Sequence, residues 1–88
     1  MPNIETVWHR IVSHQGETFR QIRGQEFSYS INQSVLNPST TNQNLPKSEF
    51  EKALRCMPLE NTVPLQKLRG PSYLYAILMD RRIRAADW

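Results

Sequence analysis

The stretch Glu26-Phe27-Ser28-Tyr29-Ser30-Ile31 does most to limit the possible folds: Phe27, Tyr29 and Ile31 fall on one face and two serines on the other. A period of two fits a β-strand with one buried face and does not fit an amphipathic helix. On both sides of this strand the period changes. Ile4, Val7, Trp8 and Ile11 recur at helical spacing, and so do Phe50, Ala53, Leu54 and Met57. An apolar strand face flanked by two apolar helix stripes predicts an α+β fold. The expected architecture is a three-stranded antiparallel meander with helices packed on one face, in the order α-β-β-β-α-α, forming a single small domain over residues 1–88.

Local signals place the boundaries. Asn3 is suited to cap a helix over 4–14, with Glu5 in its first turn and Gly16 where a left-handed residue would end it. The meander spans 17–36. Gly24-Gln25 reads as a two-residue turn with glycine at its first central position. That turn sets Arg23 opposite Glu26, Ile22 opposite Phe27 and Arg20 opposite Tyr29. Phe19 then falls on the other face, covering a small second cluster or shifted by a bulge. Asn32-Gln33 leads into a short third strand, Ser34-Val35-Leu36. Residues 37–46 form a long uncharged loop whose amides and hydroxyls either meet a ligand or satisfy their own backbone.

Ser48-Glu49-Phe50-Glu51 matches a capping box opening a helix over 49–57, which Pro58 ends. Residues 58–70 link onward, with room for a short helical turn within Val63–Leu68. Gly70-Pro71-Ser72 then opens a final helix over 72–83. Tyr73–Met79 is apolar on all sides, which favours a central helix, although Tyr73, Tyr75 and Ile77 also suit a buried strand. The chain closes on a polar, basic tail and a lone Trp88.

Charge is unevenly placed. The 88 residues carry a formal charge of +3, and all of it lies beyond residue 46, where eight Lys and Arg face five Asp and Glu. The densest basic cluster is Arg81-Arg82-Ile83-Arg84. Such a run either complements the end of a helix or attracts phosphate. The longest apolar run is far short of the roughly 20 residues a membrane helix needs. One cysteine, Cys56, excludes an internal disulfide and points to a reducing, cytoplasmic setting.

Signals for catalysis are weak. His9 and His14 are five apart on the first helix, not the four that would put both on one face for a metal. Cys56 sits between Leu54 and Met57 as a small core residue would. The three glycines, Gly16, Gly24 and Gly70, make no phosphate-cradling loop. No enzyme activity, metal or cofactor is expected. A binding role has more support: Lys67, Arg69, Arg81, Arg82 and Arg84 near the end, together with Arg20 and Arg23 on the hairpin, are the candidate nucleic-acid contacts, with DNA or RNA as partner. The rival expectation is a protein-interaction or self-association module using Tyr73, Tyr75, Arg81, Arg82 and Trp88, residue types that dominate interface hot spots.

The order helix, three strands, helix resembles that of the αβββα double-stranded-RNA-binding domains, and its strands-then-helix portion is similar to small three-stranded DNA readers. The resemblance extends to order alone. Where the RNA-binding modules carry a basic cluster at the start of their last helix, this chain has Pro46-Lys47-Ser48-Glu49-Phe50-Glu51, with two acids and one base.

Overall fold

The computed structural model describes residues 2–88. Helix α1 runs Ile4–Ser13, and the Asn3 side chain caps it by accepting from the Thr6 amide at 3.0 Å. Its stripe buries Val7, Trp8 and Ile11. Gly16, at φ +86°, turns the chain back and donates its amide to the Tyr29 carbonyl at 2.8 Å. This start matches the expectation from sequence.

The β region keeps its antiparallel character but divides into two sheets. Strands β1 (Phe19–Arg20) and β2 (Glu26–Phe27) form a short ribbon, while β3 (Tyr29–Asn32), β4 (Val35–Pro38) and β5 (Leu45–Pro46) form a three-stranded sheet. The expected hairpin register is wrong. Phe19 pairs with Phe27 and Arg20 with Glu26, so the connection is the five-residue loop 21–25. In this register Phe19, Phe27 and Tyr29 are all buried, and the break at Ser28 lets them share the core. Burying a large aromatic side chain contributes about 1.5–3 kcal/mol, which outweighs the preference for a tight turn. Ile22 is left half exposed at the loop instead of facing Phe27.

The third strand lies at 35–38 rather than 34–36, and Leu45–Pro46, expected to be loop, pairs with it. The irregular stretch shrinks to 39–44, and its hydroxyls are used within the chain. Ser39 Oγ accepts from the Ser28 amide at 3.0 Å, and Thr40 Oγ1 lies 2.7 Å from Tyr73 Oη.

Helix α2 occupies Lys47–Leu54, starting two residues before the expected bound and stopping three before it. The capping box does not form. The chain passes straight from β5 into the helix, the Lys47 amide donates to the Ser34 carbonyl at 2.8 Å, and Ser48 falls inside the first turn. A single 3-10 turn at Val63–Leu65 breaks the linker. Tyr73–Met79 proves helical within α3 (Pro71–Leu78), which buries Leu74, Ala76, Ile77 and Leu78. The last helix does not continue to 83: Asp80 starts a new one-turn helix, α4 (Arg81–Arg84), with its Oδ1 accepting from the Arg82 amide at 2.9 Å.

The final residues are docked, not a loose tail. Ile83 is fully buried, and Trp88 Nε1 donates to the Leu78 carbonyl at 2.8 Å. Buried residues from every helix and from both sheets form one contiguous cluster, with Trp8 edge-on to Phe50 and Phe27 edge-on to Tyr73. Among the described residues no helix is long and apolar enough to cross a membrane.

Candidate functional site

The break between α3 and α4 sorts the arginines. Ile83 must point inward, so Arg81 and Arg84, three residues apart on one turn, project toward the end of α3, while Arg82 projects toward the start of β1.

Arg82 is bound on every side. Its Nε and Nη2 reach the Asp80 carboxylate at 2.9 and 3.0 Å, its Nη1 reaches Glu17 Oε1 at 2.9 Å, and Nη2 also donates to the Thr18 carbonyl at 2.8 Å. The guanidinium carbon stands 3.9 Å from the centre of the Phe19 ring, within cation–π range. The other Glu17 oxygen lies 2.9 Å from His14 Nδ1. Hydrogen bonds from His14 and Arg82 hold the Glu17 carboxyl below its usual range. Burial by itself would raise Asp80, but its hydrogen bonds from Arg82 prevail and keep it low. The same bonds push Arg82 upward, so it is charged at any pH the fold survives. Arg82 therefore joins α1, β1 and α4, with four of its five donors bonded within the chain.

Arg81 and Arg84 meet Arg20 across an open groove of about 620 Å³, floored by Tyr75, Ala76 and Met79. Residues more than sixty positions apart in sequence thus form one basic rim. Arg20 pairs with Glu26 at 2.9 Å, but both side chains are more than half exposed, so the pair is weak and exchangeable. Arg84 donates to the Trp88 carbonyl through Nε at 2.7 Å and through Nη2. Arg81 is exposed and joins none of the ion pairs among the described residues. Asp80 also borders the groove, yet both its oxygens are bound to Arg82.

The other candidates lie elsewhere. Arg23 borders a separate cavity of about 230 Å³ with Ile22 and Thr62, Arg69 donates to the Asn44 carbonyl at 3.3 Å, and Lys67 is exposed away from both cavities. Family models, curated proteins and solved structures yield no match to this chain. Sequence reasoning missed Met79 as part of the groove lining and read Tyr75 as a core or interface residue. It also missed that Asp80, two residues before Arg82, would withdraw that arginine from the basic cluster. An aspartate just before a helical turn is a capping signal, and it could have been read as one.

Among the described residues no cluster of three potential ligands is placed to hold a metal ion. The three tyrosine and tryptophan candidates for an interface are all engaged internally: Tyr73 with Thr40, Tyr75 Oη with the Glu60 carbonyl at 3.4 Å, and Trp88 with Leu78.

Proposed function

We propose that the protein is a non-catalytic, cytoplasmic binding domain whose ligand is a nucleic acid, held by its phosphates along the groove between Arg20, Arg81 and Arg84. The observation that carries this reading is the convergence of three arginines from two distant segments on one concavity. A guanidinium offers a planar fork of donors that matches phosphate oxygens, and Arg81 has its whole fork available. The internal satisfaction of Arg82 supports the assignment indirectly, because it leaves Arg81 as the charge of that run that faces outward.

Fluorescence anisotropy with a mixed-sequence oligonucleotide tests the reading. Three phosphate contacts give a log–log salt slope of about −2 to −3. The double variant Arg20→Glu/Arg81→Glu is expected to lose at least about tenfold in affinity near 50 mM salt and to flatten that slope by about 1.5–2. Lys67→Glu, remote from the groove, serves as the control. Equal losses in control and double variant, or no loss in the double variant, would remove the groove from the argument.

A protein partner is the second reading. A shallow cleft of about 260 Å³ between Pro2, Ile4 and Leu54, together with Ile22 and Val63 at 50% and 69% exposure, leaves apolar surface uncovered. A concentration-dependent dimer in light scattering, combined with no oligonucleotide binding, would favour it.

A further inference from the structure

We propose that the groove takes a single strand in preference to a duplex, with a base stacked on the Tyr75 ring while Arg81 and Arg20 hold the flanking phosphates. The inference rests on the nucleic-acid reading above and specifies its substrate. Duplexes are read by protruding elements, since the major groove is about 12 Å wide and admits a helix or a β-ribbon. Here the cations surround a hollow. The helix that carries two of them, α4, is four residues long and buries Ile83, so it has no face to insert.

The floor of the hollow suits an unpaired base. Tyr75 is half-buried and lines the groove, with its hydroxyl 3.4 Å from the Glu60 carbonyl. Ala76 adds no bulk beside it, and the Met79 thioether supplies polarisable apolar surface that adapts to either ring size. The nearest carboxylate, Asp80, is already neutralised by Arg82. A cationic rim over an aromatic floor is the combination by which single strands are held without regard to sequence. With no hydrogen-bonding side chain on the floor except Tyr75, discrimination among bases is weak.

The test compares one labelled strand of about 16 nucleotides with its blunt duplex, a length at the upper end of single-strand site sizes. The unmodified protein should bind the strand at least about tenfold more tightly than the duplex. Tyr75→Phe keeps the ring and should retain that preference. Tyr75→Leu keeps apolar bulk without the π-face and should lose about 5- to 100-fold on the strand, with little change on the duplex. Circular dichroism melting confirms that both variants are folded. Equal or tighter duplex binding overturns the inference, as does an unaltered Tyr75→Leu affinity when Arg81→Glu still abolishes binding. In those cases the polyanion reading survives alone. If neither the strand nor the duplex binds, both readings fall.

Discussion

Among single residues, Arg82 shows how one side chain changes meaning with its surroundings. In the sequence it is one of four residues in a basic run. In the fold four of its five donors are spent on Asp80, Glu17 and the Thr18 carbonyl, over the face of Phe19. The carboxylates around it carry a consequence for acid stability. Asp80 and Glu17 both have pKa values lowered in the folded state, so folded protein binds fewer protons than unfolded chain as pH falls, and acid favours unfolding. Their contribution is complete above the unfolded carboxylate value of about 4 and disappears as pH drops through the lower folded values. Urea midpoints measured from about pH 7 down to about pH 3 should therefore decline for the unmodified protein and decline less for Asp80→Asn. An equally steep decline in that variant would show that the Asp80–Arg82 pair does not govern acid unfolding.

Among elements, the contrast between two glycines separates backbone strain from packing. Gly24 and Gly70 both lie at positive φ, +91° and +62°. A Cβ at Gly24 meets nothing within 4 Å, whereas at Gly70 it would stand 2.8 Å from Leu45 Cδ2. Leu45 is fully buried under the start of α3 and has little room to retreat. Gly24→Ala should cost about 1 kcal/mol from the left-handed backbone alone. Gly70→Ala should cost about 2–4 kcal/mol, because overpacking adds to the strain. Thermal melts of the two variants decide this, and equal losses would mean that Leu45 repacks freely. The element-scale errors of sequence reading have a common source. Turn and cap preferences amount to about 1 kcal/mol each, and tertiary pairing overrides them: Phe19 displaced the tight turn, and the Lys47–Ser34 bond displaced the capping box.

In the molecule as a whole, the last eight residues close the structure. The radius of gyration is 11.5 Å, near the roughly 12 Å expected for a compact chain of this length. Arg10 donates to the Ile83 carbonyl at 2.9 Å and pairs with Asp87 at 2.6 Å, while Trp88 covers the end of α3. These contacts tie the first helix to the end of the chain and hold α4 where its arginines meet Arg20. Trp88→Ala should lower stability by about 2 kcal/mol, less than a fully buried tryptophan because the residue is half-buried. Amide hydrogen exchange in α4 should accelerate by more than in α1 or α2. Uniform acceleration across all helices would mean that the final segment unfolds only with the rest.

Periodicity by itself determined the class of this fold, the first helix, the β character of 26–31 and the helical stripe of 50–54, because a repeating apolar face is written locally and each repeat adds to the last. The same local signals left Tyr73–Met79 undecided, since a fully buried helix and a buried strand are both apolar throughout. Only the tertiary structure settled which residues share the candidate groove. Arg20 and Arg81 are neighbours because the ribbon and α4 pack on the same helix, and Arg82 is lost to the rim because Glu17 and Phe19 happen to lie beside it. Long-range placement of charge depends on every packing contact between the two segments, and no spacing rule within either segment records it.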